Sequence, residues 1–173
     1  MQGLSYVFMV ALASQLILAQ GTRLHFGQCT LTANMAEIQQ AFSDIRQAIQ
    51  AEDTTDDVRL LPKSTFQRIQ AQESCCFLRH MLRFYVEIVF KHHTPSNSLI
   101  ERRTNILANS FLSIKRDLRQ CHSEMRCHCG EESRVQMQKM QNTFENLTLR
   151  AAAVKAIGEI DILIEWMGQS HQN

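Results

Sequence analysis

Proline and glycine are scarce in this chain, with 2 and 6 in 173 residues. So few breakers exclude a sandwich or a barrel of short strands and leave room for long helices. An excess of charge of one sign is also missing. Eighteen Lys and Arg stand against 17 Asp and Glu, a net charge of +1. No chain-wide field therefore draws the molecule to nucleic acid or to an anionic membrane. A G-x-S-x-G elbow, an H-E-x-x-H pair and a glycine-rich phosphate loop are all absent, so no catalytic residue is assigned and no enzyme is expected. Beyond the N-terminal region there is no second long apolar run, which predicts a soluble product without membrane insertion. No internal repeat or low-complexity tract divides the chain.

The first 20 residues have no charged side chain and hold an apolar run from Leu4 to Ala19. That run is shorter than the roughly 20 residues a span needs. Ala19 and Gly21 offer small residues for cleavage, although the usual basic n-region is missing. The reading is a signal peptide over residues 1–21 and one extracellular domain over residues 22–173. About 150 mature residues suit a single core.

Six cysteines lie behind this leader: Cys29, Cys75, Cys76, Cys121, Cys127 and Cys129. An even count in a secreted chain reads as a disulfide framework. Neighbours on a helix point about 100° apart, so Cys75 and Cys76 cannot bridge each other without strain. A Cys127–Cys129 ring is similarly tight. The two pairs therefore reach toward each other and leave lone Cys29 for lone Cys121. Which member of one pair meets which of the other stays open. Zinc is a poor fit to Cys127-His128-Cys129 with His122, because zinc pairs are usually spaced C-x(2–4)-C and an oxidising compartment consumes thiolates. No metal and no cofactor is expected.

Helical periodicity is clear in five places. Met35, Ile38, Phe42, Ile45 and Ile49 mark the first, with Thr32 or Asn34 ahead as N-cap. The second runs from about Glu73 to Lys91 on Leu78, Met81, Leu82, Tyr85, Ile88 and Val89, and stops before His93-Thr94-Pro95. The third runs from about Leu99 to Arg119 on Leu107, Phe111, Ile114 and Leu118. The fourth carries Met137, Met140, Phe144 and Leu147. The fifth, from about Ala151 to Met167, carries Val154, Ile157, Ile160, Ile164 and Met167. A connection of unusual length, about Ala51 to Gln72, predicts a short helix near Asp56–Leu61. The whole predicts a helical bundle. His80, His92 and His93 read as solvated or helix-end residues, and Trp166 as core. Asn146-Leu147-Thr148 is an N-glycosylation sequon between the fourth and fifth helices.

Three segments together resemble the interleukin-10 family of helical cytokines, and most closely its interleukin-19 and interleukin-20 subfamily. They are Cys75-Cys76-Phe77-Leu78-Arg79-His80-Met81-Leu82-Arg83-Phe84-Tyr85, then Leu107 to Leu118 continuing through Cys121-His122 to Cys127-His128-Cys129-Gly130-Glu131-Glu132, and Ala152 to Leu163. Weaker similarity covers Phe42-Ser43-Asp44-Ile45-Arg46. The resemblance implies an all-α cytokine bundle of about six helices, A to F, stapled by three disulfides. It implies the pairs Cys29–Cys121, Cys75–Cys127 and Cys76–Cys129. It also implies a secreted monomer that bridges two class II cytokine receptor chains, of the interleukin-20 receptor alpha and beta type or with an interleukin-22 receptor chain, and so activates Janus kinases and STAT factors.

One face, on the long loop and last helix, is then expected to meet the higher-affinity chain through Asp56, Asp57, Arg59, Lys155 and Glu159. A second, on the first helix, is expected to meet the shared chain through Glu37, Gln40, Asp44 and Gln47. Periodicity places all nine off the apolar stripes, on exposed faces. The competing reading is a saposin-like secreted lipid-binding module, which is also helical with six cysteines but is usually about half this length and differently spaced. A small secreted hydrolase lacks any catalytic constellation.

Overall fold

Leu24 and Phe26, then Cys29, Leu31 and Ala33, alternate with polar residues, a period of two rather than 3.6. In the computed structural model, which describes residues 21–169 and 171, that stretch is a hairpin. Strand β1 (Thr22–Phe26) pairs antiparallel with β2 (Cys29–Ala33), Leu24 opposite Leu31 and Phe26 opposite Cys29. Gly27 adopts φ +60° at the first position of the two-residue turn, a conformation that disfavours a side chain. The helical reading did not foresee this hairpin. It lies beside the bundle and leaves the architecture helical. The leader expected over residues 1–21 falls, apart from Gly21, outside the described residues.

Helix α1 (Met35–Glu52) starts where the Asn34 side chain accepts the Glu37 N–H at 3.1 Å. It buries Met35, Ile38, Ala41, Phe42, Ile45 and Ile49. The short helix of the long connection forms not at Asp56–Leu61 but at α2 (Lys63–Arg68). Leu61 precedes a proline, which pushes it out of the helical region, while Pro62 at φ −66° is already set to open a helix. Leu60 and Leu61 go into the core instead.

Helix α3 (Ala71–Phe84) continues through a π-helical turn (Tyr85–Val89) into the short α4 (Phe90–His92). Tyr85 at that turn is buried, and its hydroxyl donates to the Ala156 carbonyl at 2.6 Å. Helix α5 (Ser98–Ser123) is capped by the Asn97 side chain accepting the Ile100 N–H at 3.0 Å. Helix α6 (Glu131–Glu145) follows the cysteine-rich loop. The single last helix expected over Ala151–Met167 is two, α7 (Leu149–Gly158) and α8 (Ile160–Met167), broken at Glu159 (φ −101°, ψ 9°). The carbonyl of Gly158 accepts from Gln50 Nε2 at 3.0 Å, and the Glu159 carboxylate is bonded to the long connection.

Helix α1 packs on α5, α7 and α8, and α3 packs on α5 and α6. At one end of the core Trp166 meets the edge of Phe77, with ring centres 5.6 Å apart and planes at 83°, and also touches Phe26 and Phe66. His171 closes that end: its Nε2 is 2.7 Å from the Trp166 carbonyl, and its backbone brackets the β1 turn. Among the described residues no helix is long and apolar enough to cross a membrane.

Gly130 packs against the buried side chain of Glu73, whose carboxylate faces Ser133 at the start of α6. A β-carbon at 130 collides with that carboxylate. Gly130→Ala is expected to cost about 1–3 kcal/mol, read as a lower urea midpoint at unchanged slope. An unchanged midpoint would mean that Glu73 swings aside freely.

Candidate functional site

Three disulfides gather at one end of the bundle. Cys29–Cys121 joins β2 to the C-terminal turn of α5, with Cα atoms 6.1 Å apart across 92 residues. Cys75–Cys127 and Cys76–Cys129 join the first turns of α3 to the loop before α6, with Cα separations of 5.3 and 5.1 Å. These are the same pairs that the family resemblance implies. Cys29, Cys75 and Cys127 lie close together, as do Cys76, His80 and Cys129. All five cysteines are in disulfides, so none offers the thiolate a metal needs.

The loop face divides. Asp56, Asp57 and Arg59 are exposed on the long connection. Lys155 and Glu159, expected beside them in solvent, are interior, with exposures of 3% and 8%. The reason is that α7 lies in the middle of the bundle, and every residue from Ala152 to Ile160 is buried. Lys155 Nζ stands 2.7 Å from Asp53 Oδ2 and 4.0 Å from Glu159 Oε1. Glu159 Oε2 accepts the Leu61 N–H at 2.6 Å, and Arg59 Nε lies 3.9 Å from its other oxygen. Asp53 also accepts from the Thr55 N–H and hydroxyl, at 2.9 and 2.8 Å. These residues moor the connection to α7 rather than face outward.

Electrostatics follow from that placement. Burial raises the Asp53 pKa, but the hydrogen bonds from Lys155 and Thr55 outweigh it and hold the group below the ordinary 3.8. Burial dominates at Glu159 and pushes it above 4.5, against the Leu61 N–H, Lys155 and Arg59. Exposed pairs extend the same surface: Arg46 to Asp161 at 3.2 Å and Lys63 to Glu165 at 3.3 Å. The polar rim thus runs over the connection, α2 and α8. The missed signal for Lys155 and Glu159 is a single charged pair at i, i+4 inside Ala151-Ala152-Ala153-Val154-Lys155-Ala156-Ile157-Gly158-Glu159-Ile160. A charged pair inside such an apolar run can be buried because each member satisfies the other.

On α1, Glu37, Gln40 and Gln47 are exposed. Asp44 is half-buried: it accepts from Gln40 Nε2 at 2.7 Å and lies 2.8 Å from Arg103 Nε on α5. Arg46, two residues further, points about 200° away toward α8. The Asp44 flank and the loop face therefore lie on opposite sides of α1. Asn146 is exposed at the end of α6, and Thr148 of the same sequon caps α7 by accepting the Ala151 N–H.

Comparison with known proteins places this architecture. The family model described as Interleukin 10 matches residues 2–170. Mouse interleukin-20 is 49% identical over 146 residues, covering 83% of this chain and 82% of that protein. Human interleukin-19 is 36% identical, with coverage of 84% and 82%. The crystal structure of human interleukin-19 superposes with a TM-score of 0.71 at 35% identity, covering 80% of this chain and 90% of that one. The structure of an edited human interleukin-24 superposes with a TM-score of 0.71 at 34% identity, covering 83% of this chain and 95% of that one. The helical core, the three staples and these likenesses agree, and the chain belongs to the interleukin-10 family of cytokines, signalling proteins and not enzymes.

Proposed function

We propose that the chain is secreted after loss of residues 1–21 and acts over residues 22–173 as a monomer bridging two class II cytokine receptor chains. The pair is of the interleukin-20 receptor alpha and beta type, with an interleukin-22 receptor chain as a substitute for the first, and its union activates Janus kinases and STAT factors. The observation that carries this reading is the 49% identity to mouse interleukin-20 across four fifths of both chains. The two polar flanks of α1 fit it. On the loop side Asp56, Asp57 and Arg59 reach the higher-affinity chain, while Lys155 and Glu159 act from beneath by fixing the connection. On the other side Glu37, Gln40, Asp44 and Gln47 reach the shared chain. Asn146 carries an N-glycan at the exposed α6–α7 corner.

Mature protein mixed with both soluble receptor ectodomains is expected to elute as a ternary complex on size exclusion, and with neither chain alone in the same yield. Charge reversal at Asp57 weakens binding to one chain and reversal at Glu37 weakens binding to the other, each by about tenfold where the residue is central. Helical, fully oxidised protein that binds no class II chain but associates with lipid vesicles would return the reading to a lipid-binding module.

A further inference from the structure

The net charge of +1 conceals a segregated cationic strip. The i, i+4 spacing puts Arg79 and Arg83 along one side of α3, with His80 beside them, and Glu87 in the π-helical turn continues that side by pairing with Arg83 at 3.0 Å. On α5, Lys115, Arg119 and His122 follow at i, i+4, i+7. Glu87 Oε1 meets Lys115 Nζ at 2.9 Å and fixes the register of these two packed helices. The chain reverses between them over Thr94 to Asn97, so α5 runs antiparallel to α3. One turn beyond the Glu87–Lys115 pair, Arg83 therefore lies level with Arg119. The next turn brings His80 level with His122. Burial, then Arg79, Arg83 and His122 hold His80 below its ordinary pKa; every charge acting on it is positive. His80 Nε2 also lies 3.9 Å from Cys129 Sγ, so the Cys76–Cys129 disulfide anchors this end of the strip.

Glu87 is the one carboxylate on these stripes and it closes one end, where Arg83 and Lys115 both pair with it. Beyond it Arg79, His80, Arg119 and His122 have no ion pair with a carboxylate among the described residues. The eight residues from Lys115 to His122 span about 10 Å. The strip shares no residue with the two proposed receptor flanks.

We infer that the α3–α5 strip of Arg79, His80, Arg83, Arg119 and His122 binds a linear sulfated glycosaminoglycan. The occupant follows from the shape and the compartment. A row of arginines along two helices, two of them without an ion pair among the described residues, matches a linear chain with repeated anionic groups, and guanidinium groups favour sulfate. Because the compartment rests on the proposed secretion, that choice depends on the preceding reading. A strip held by the fold rather than a charged tail presents its charges on a backbone that is already ordered.

The test uses the disulfide-bonded mature protein on immobilised heparin. Wild type is expected to be retained at physiological salt and to elute as salt rises. Arg79→Gln/Arg83→Gln/Arg119→Gln is expected to bind about tenfold more weakly. Arg23→Gln/Arg68→Gln, which removes exposed cations elsewhere, is expected to elute with wild type. Receptor binding by the same variants separates the two proposals: a triple variant that loses heparin and keeps the ternary complex supports the strip whatever the receptor pair. Should the triple variant lose helicity, arginine modification by phenylglyoxal on wild type decides, with heparin expected to protect Arg79, Arg83 and Arg119. Wild type that passes through heparin at physiological salt, a triple variant retained like wild type, protection confined to other arginines, or retention on phosphatidylserine vesicles alone each overturns the inference.

Discussion

Cys29→Ala/Cys121→Ala is expected to lower stability by about 2–5 kcal/mol, measured by guanidinium unfolding of the otherwise oxidised protein. The bond closes 92 residues, the longest loop of the three staples. The chain-entropy account gives a loop of that size about 4–5 kcal/mol. The two shorter loops, 52 and 53 residues, differ from it by only about 0.5 kcal/mol in that account, because the dependence is logarithmic. Connectivity sharpens the contrast. Cys75–Cys127 and Cys76–Cys129 run side by side between the same two segments, so each partly duplicates the other. Cys29–Cys121 alone joins the hairpin to α5. Removing it is expected to cost more than removing Cys76–Cys129 and to make Leu24 and Leu31 amides exchange faster. A loss under about 1 kcal/mol with the hairpin still protected would show that the Phe26, Trp166 and His171 packing holds it unaided.

What the sequence discloses follows from which interactions are local. The buried stripe of α1 and the stop before Pro95 depend on periods and breakers within one segment, and both lie where the residues place them. The hairpin is also local: Leu24, Phe26, Cys29 and Leu31 alternate around Gly27 with the period of a strand. The short helix of the connection lies a few residues after Asp56–Leu61, because Pro62 disfavours helix at Leu61 and opens one at Lys63. The break at Glu159 is different in kind. Gly158 is its one local signal within Ala151 to Met167, and the partners that hold it are not local: the Gly158 carbonyl and the Glu159 carboxylate are occupied by Gln50 and Leu61, which are distant in sequence. The same non-local packing buries Lys155. For the candidate site, periodicity finds the exposed residues of α1, whose two sides differ. It fails on α7, which is surrounded.

Lys155→Met is expected to destabilise the protein by about 3 kcal/mol near neutral pH, because it leaves half-buried Asp53 and buried Glu159 without their ammonium. The methionine keeps most of the volume, so packing contributes little. The pH dependence distinguishes this cause. In the native protein the Asp53 pKa lies below its ordinary 3.8, so its stabilising contribution is complete above that value and is lost as pH falls through the depressed one. Glu159 has the opposite sign: its pKa lies above 4.5, so charging it costs stability as pH rises from 4.5 through the raised value. Without Lys155, both carboxyls lose the ammonium that lowers them, so each binds protons more tightly in the folded variant than in folded wild type. The deficit of the variant is therefore largest near neutral pH and shrinks as pH falls, first through the raised Glu159 value and then through that of Asp53. Neutralising the whole cluster with Asp53→Asn/Lys155→Met/Glu159→Gln is expected to recover most of the loss, since the glutamine carbonyl can still accept the Leu61 N–H. A deficit that is equal at pH 7 and pH 3.5, or a triple variant no more stable than the single one, would place the cost in packing rather than in uncompensated charge. A variant that also binds the loop-side receptor chain more weakly, while the chain on the other flank of α1 binds as before, would show that this buried cluster shapes Asp56, Asp57 and Arg59 for recognition.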